Sequence, residues 1–226
     1  MGHASKPRKI RLSTTPTPEA LAELRLGDVV YLDGLIYTAR EGVYKRALED
    51  KANIPMELPG ESAANFHCSP AAAINEDGTF RLGAVTATAS FRFSKWIGQW
   101  MAKSGAKLII GKGGMSVKDY QEHFVPNGAI YLTTVGYGTG ALLGRGVKRV
   151  KTVHWNKELG LAQAMWVFEA DNMGPFIVES DLAGNSLFER ENAKISANLE
   201  KVYEGTVPAV LKRFGETDDR SDEMIG

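Results

Sequence analysis

The chain has 226 residues, is 43% hydrophobic, and carries 27 basic and 27 acidic side chains for a formal net charge of zero. That length suits one sizeable core, and the balanced charge excludes the one-sign field that nucleic-acid or anionic-membrane binding requires. No apolar run approaches the roughly 20 residues that span a bilayer, and no apolar signal core opens the chain, so a cytoplasmic protein with small-molecule or protein partners is expected.

Residues 1–9 are basic and polar without periodicity, which predicts a flexible lead ending at residue 11. Thr17 and Pro18 then read as N-cap and first helical residue of a short helix through Leu24. Residues 27–34 read as a strand between turns, with 35–38 as its hairpin partner. Helical spacing over 40–48 puts Arg40 at a strand-to-helix junction. Three prolines and a glycine between Asn53 and Pro70 predict an irregular crossing that ends in the short Phe66-His67-Cys68. A hairpin around Asp77-Gly78 leads to a strand near 82–87. Thr88-Ala89-Ser90-Phe91-Arg92 opens a helix through Trp96 and Trp100 to Ser104-Gly105.

Leu108-Ile109-Ile110 then reads as a buried strand, and Gly111-Lys112-Gly113-Gly114 follows at its C-terminal end, where α/β sheets open ligand crevices. Lys112 there is either an anion-binding lysine or a solvated lysine in a tight turn. A phosphate-binding P-loop does not fit. It needs four residues between its first glycine and the Gly-Lys pair, and a hydroxyl after the lysine. Gly105 is one residue too far back, and Gly113 stands in the hydroxyl's place. A carboxylate fits better, since a lysine ammonium and exposed backbone N–H groups suit any oxyanion.

A helix near 116–123 and a strand over 129–134 continue the alternation. Gly136, Gly138 and Gly140 lack the dinucleotide spacing and read as sites of close backbone packing. Further strands are predicted at 150–154, 164–169 and 176–178, a turn at 181–185 and an amphipathic helix at 189–204, with 215–226 as a disordered acidic tail. Strands alternating with helices give an α/β fold: one layered mixed sheet with flanking helices, in a domain over 12–214.

Cys68 is the single cysteine, which excludes an internal disulfide and an iron-sulfur cluster ligated by this chain alone. It reads as a small buried hydrophobe before it reads as a nucleophile. Three segments share one design, a strand end followed by a small residue and a basic or hydroxyl side chain: Arg40, then Thr88 with Arg92, then Lys112. If their strands are neighbours, three cations and a hydroxyl meet at one rim, a set that suits a dicarboxylate.

At these residues the chain resembles the beta subunit, or C-terminal domain, of the oxygen-sensitive iron-sulfur hydro-lyases, class I fumarase and L(+)-tartrate dehydratase. The strongest segment is Gly105-Ala106-Lys107-Leu108-Ile109-Ile110-Gly111-Lys112-Gly113-Gly114-Met115. Leu26-Gly27-Asp28-Val29, Thr38-Ala39-Arg40, Val153-His154-Trp155, Gly174-Pro175 and residues 181–185 follow the family's landmarks in order. The resemblance implies a swivelling β/β/α domain that closes over a [4Fe-4S] cluster held by a partner alpha subunit. It implies a dimer of heterodimers, or a homo-oligomer of the isolated chain. Thr88 is implied as the proton-transferring base, Lys112 as a catalytic and substrate-binding cation, and Arg40 and Arg92 as further substrate ligands, with no metal ligand from this chain. The implied reaction is reversible dehydration of a hydroxy dicarboxylate: malate to fumarate, tartrate, or a related acid.

Two positions depart from the family's pattern. Thr86-Ala87-Thr88-Ala89 replaces a Gly-Pro-Thr-Thr type motif, and Tyr44 replaces a histidine common after the arginine. Both changes are expected to alter the pocket wall while leaving the cations in place. A non-catalytic dicarboxylate-binding or assembly module of the same fold is the alternative, supported by the altered threonine segment.

Overall fold

The computed structural model describes residues 6–136 and 138–205. Strand β1 (Lys9–Ser13) leads through helix α1 (Pro18–Ala22) to strand β2 (Val29–Thr38). Helix α2 (Glu41–Tyr44) continues as a π-helical turn over Lys45–Glu49, and β3 (Ala64–Phe66), β4 (Cys68–Ile74) and β5 (Phe80–Ala87) follow. After a 3₁₀ turn at Phe91–Phe93 come α3 (Ser94–Ser104), β6 (Leu108–Gly111), α4 (Val117–Asp119), a π-helical turn at Tyr120–Phe124, and α5 (Val125–Asn127). Strand β7 (Ile130–Thr134), α6 (Gly140–Arg145), β8 (Val147–His154), α7 (Asn156–Leu159), β9 (Met165–Ser180) and α8 (Leu187–Tyr203) complete the series.

The main sheet is mixed, with β2, β3, β6 and β7 parallel and β9 antiparallel to β2 and β7. Its pairings run β2 to β3 to β6 to β7 to β9 and back to β2, so these strands close a ring, while β1 extends β2 and β8 extends β9. The expected mixed sheet with flanking helices is present, and its central strands close on themselves. Closure is possible because β2 and β9 are long enough for one edge of each to hold two different neighbours. The strands alternate accordingly. Leu108 and Ile110, with Ile130, Leu132, Leu32, Ile36, Phe168 and Phe176, belong to one core, whereas Ile109 and Tyr131 pack outward against Ile97, Met101, Tyr120 and Phe124. Burial on both faces explains why β6 reads as an unbroken apolar run.

Three sequence expectations need correction. The hairpin predicted between 27–34 and 35–38 is a single strand, because Gly34 absorbs the reversal as a bulge. Gly34 sits at φ +117, and Thr14 Oγ1 lies 2.3 Å from where its Cβ would stand. Likewise the candidates at 164–169 and 176–178 are parts of one strand, β9. The flexible lead is shorter than residue 11, since Lys9–Ser13 pairs with β2: Ile10 and Leu12 face inward while Lys9 and Arg11 face solvent. Basic residues on its outer face masked that period-two pattern.

Other expectations are met. Thr17 caps α1 by accepting the Ala20 N–H at 3.2 Å, and β4 and β5 form the predicted hairpin. Gly140 packs closely, its missing Cβ leaving 2.9 Å to Thr86 Oγ1, but Gly136 and Gly138 have open space instead. The chain divides into two compact units after Arg190, and the last part of α8 lies in the second. The acidic tail at 215–226 lies outside the described residues. Among the described residues no helix is long and apolar enough to cross a membrane.

Candidate active site at the rim of the parallel strands

The parallel strands β2, β3, β6 and β7 all end on the same edge, and the chemistry-bearing residues follow those ends. Arg40 is the N-cap of α2, two residues past β2, and its carbonyl accepts the Tyr44 N–H at 3.0 Å. Its Nη1 donates to the Ala162 carbonyl at 2.9 Å, while its Nε–H is buried without an acceptor among the described residues. Burial first, and then the like charge of Arg92, hold the Arg40 pKa below its ordinary value. The carboxylate nearest in sequence, Glu41, is ion-paired to Lys45 at 2.7 Å.

Residues 88–90 enter the gap beside β6 and extend its ladder past the strand's end. Thr88 N–H donates to the His67 carbonyl at 2.6 Å, Lys112 N–H to the Thr88 carbonyl at 3.2 Å, and Ser90 N–H to the Lys112 carbonyl at 3.2 Å. Gly111 permits this approach, because a Cβ there would lie 2.0 Å from Ser90 Oγ and 2.6 Å from the Tyr131 hydroxyl. Gly113 and Gly114 then turn the chain at φ +79 and +71. Lys112 lines a small pocket of about 10 Å³ with Thr86, Thr134, Gly136, Thr139 and Gly140. Arg92 stands exposed on the 3₁₀ turn, its guanidinium 5.9 Å from the Phe93 ring centroid.

The structure thus joins Thr88 to Lys112 through the backbone and sets Arg40 within electrostatic reach of Arg92. Cys68 stands between the pairs: it is paired with Ala87 in the β4–β5 ladder, and the Arg40 charge acts on its thiol. Burial nevertheless dominates and pushes that thiol well above its usual range, so Cys68 is an inert core residue, as read from sequence. Among the described residues there is no group of three or more His, Cys, Asp or Glu able to bind a metal. Cys68, the chain's one cysteine, supplies too few thiolates for a [4Fe-4S] cluster held by this chain alone.

Beneath the rim lies a buried polar chain that sequence reasoning missed. Asn65 Nδ2 donates to the Tyr44 hydroxyl at 2.7 Å, which meets His67 Nε2 at 2.6 Å; His67 Nδ1 meets Ser90 Oγ at 2.7 Å, and Ser90 Oγ meets the Tyr131 hydroxyl at 2.6 Å. Tyr44, expected to line the pocket wall, is fully buried among Phe93, Trp96 and Trp100, so its departure from the family pattern changes the support of the site and not its open surface. A second group braces the turn after Lys112. Met115 N–H donates to the Tyr120 hydroxyl at 2.8 Å, and Tyr120 and Ser186 both donate to Glu179, whose pKa burial raises. Only one local signal hinted at either group: His67 lies between β3 and β4, flanked by the apolar Phe66 and Cys68.

Burial pushes His67 from 6.5 down to about 3. Between those values the unfolded state takes up a proton that the folded state refuses, so stability falls on acidification by about 1.4 kcal/mol per pH unit. Denaturant titrations at pH 7 and pH 4.5 will show this loss, and His67→Asn will remove this share of it. A slope unchanged by His67→Asn would assign the acid sensitivity to other groups.

Known proteins share this sequence over most of its length. Residues 1–191 match the family described as fumarase C-terminus. The chain is 34% identical over 190 residues to the L(+)-tartrate dehydratase subunit beta of Escherichia coli K12, covering 83% of this chain and 90% of that one. It is 33% identical over 187 residues to a Methanocaldococcus jannaschii protein provisionally named L(+)-tartrate dehydratase subunit beta, covering 82% and 94%. A Geobacillus stearothermophilus protein provisionally named class I fumarate hydratase is 33% identical over 185 residues, covering 82% of this chain but 34% of that longer one. With matches of this extent, the chain belongs to the fumarase C-terminus family.

Proposed function

We propose that the chain is the beta half of a hydro-lyase that reversibly dehydrates a hydroxy dicarboxylate, with malate and tartrate as the first candidates. The observation that carries this reading is the rim itself: Arg40 and Arg92 stand close enough for like-charge repulsion, and Lys112 sits at the same edge beside Thr88. Glu41 lies within electrostatic reach of both guanidinium groups but is ion-paired to Lys45, and cations gathered in this way favour a doubly charged anion, since guanidinium groups bind carboxylates through paired hydrogen bonds. The relatives named as tartrate dehydratase beta subunits support the same substrate class.

Arg40, Arg92 and Lys112 hold the two carboxylates and face the charge that builds on the substrate as its C–H proton leaves. Thr88 Oγ1 accepts that proton, and the cations and a closed, dry site lower the energy of the deprotonated threonine this requires. The proton that Thr88 gives up on activation leaves with the substrate hydroxyl as water, and the C–H proton restores the Thr88 hydroxyl. A [4Fe-4S] cluster, carried by a partner alpha subunit, supplies Lewis-acid chemistry at that hydroxyl when bound. The unit acts as a swivelling lid over the partner's cluster, in a cytoplasmic dimer of heterodimers.

The test is reconstitution. The isolated chain will bind no cluster and show no dehydratase activity, and anaerobic assembly with a cluster-bearing alpha subunit will produce activity on malate or tartrate. Stoichiometric cluster iron in the pure chain would overturn the division of labour. A complete complex that binds dicarboxylates without turnover would favour the non-catalytic module, for which the Thr86–Ala89 departure speaks.

A further inference from the structure

We infer that His67 is a positioning residue, a buried imidazole that clamps the Thr88–Ser90 segment and the Lys112 turn to one another and so sets where the threonine and the lysine meet substrate. The inference rests on the hydro-lyase reading for its catalytic consequence, but the clamp itself stands on contacts within this chain. His67 acts on the rim twice. Its backbone carbonyl holds the Thr88 N–H at 2.6 Å and its N–H binds the Ile110 carbonyl at 2.8 Å, tying the Thr88 segment to β6. Its side chain then binds Ser90 Oγ, whose backbone N–H in turn holds the Lys112 carbonyl.

The hydrogens along the chain have one consistent order. Asn65 donates to the Tyr44 oxygen, so the Tyr44 hydrogen goes to His67 Nε2. His67 therefore carries its proton on Nδ1 and donates it to Ser90, which donates to Tyr131. The series thus runs from Asn65 on β3 to Tyr131 on β7, the two strands that flank β6. A continuous donor series of this kind holds its members more rigidly than its separate bonds would. Gly111, with no Cβ, leaves the room in which Ser90 and Tyr131 meet. The imidazole is completely buried and does not touch substrate, so it acts only through Ser90 and the backbone.

His67→Leu removes both side-chain links, whereas His67→Asn places an amide N–H near the position of Nδ1 and keeps the donor to Ser90. In the assembled enzyme, His67→Leu is expected to lower kcat/KM about 10²-fold, the scale of a 1 Å misplacement, with most of the loss in kcat, and His67→Asn to recover it to within about tenfold. Amide exchange in the isolated full chain gives a readout independent of activity. The Ser90 and Lys112 amides will exchange faster in His67→Leu and return toward wild type in His67→Asn, and ¹⁵N spectra will show a single Nδ1–H imidazole. If His67→Leu does not fold, Ser90→Ala keeps the imidazole and its bond to Tyr44, removes the Oγ bonds to His67 and Tyr131, and is expected to accelerate exchange at Lys112. A folded His67→Leu with wild-type exchange and kcat/KM would overturn the inference, as would His67→Asn damaged as severely as His67→Leu. An inactive wild-type complex would defeat the hydro-lyase reading alone, since the exchange measurements still decide whether His67 clamps the rim.

Discussion

Thr88→Val in the assembled, cluster-loaded enzyme will lower kcat by about 10² to 10⁴, the usual contribution of a positioned acid or base, while leaving substrate affinity nearly intact. Valine keeps the branched shape of threonine, and the Thr88 N–H and carbonyl remain bonded to His67 and Lys112, so the variant isolates the hydroxyl. Thr86→Val is the control. Thr86 lines the pocket beside Lys112 and lies two residues earlier, so its loss will be milder and will fall mainly on KM. Steady-state turnover and exchange of the substrate C–H proton with solvent separate the two. Equal small losses would remove Thr88 from the proton-transfer role, and a large loss in Thr86→Val alone would move that role to Thr86.

Removing either accessible cation will weaken dicarboxylate binding by about 1.5 to 3 kcal/mol, roughly 10- to 150-fold, the range for hydrogen bonds to charged groups. Arg92→Ala is the cleaner case, since the side chain is exposed on its turn and its truncation gives up only the distant contact with the Phe93 ring. Lys112→Ala will show a comparable loss, because the lysine lines the pocket with Thr86, Thr134 and Thr139. Calorimetry on the complex reads both directly. Wild-type affinity in Lys112→Ala would make the lysine a turn residue, and wild-type affinity in both variants would remove the rim from substrate binding.

Several features were legible because their causes are local. A threonine ahead of a proline announces the cap of α1, and Asp77-Gly78 announces the β4–β5 turn. The apolar run before Gly111-Lys112 announces a strand buried on both faces with a lysine at its end. Gly34 was misread for an equally physical reason. An Asp-Gly pair signals a turn in a free hairpin, but β2 is flanked by β1 on one edge and β9 on the other, and between two neighbours the glycine becomes a bulge.

The sequence alone determined what the chain has to work with: one cysteine, balanced charge, three basic residues and a threonine each placed just after a strand or small residue, and an ordered set of family landmarks. Only the tertiary structure decided which of these meet. Ring closure depends on β9 reaching β2 across more than half the chain, and the buried series joins Tyr44 to His67 across 23 residues and Ser90 to Tyr131 across 41. Hydrophobic period records which face of a strand is buried but not which strand lies beside it. The candidate residues are therefore written in the sequence at separate strand ends, and long-range pairing brings those ends to one edge of the sheet.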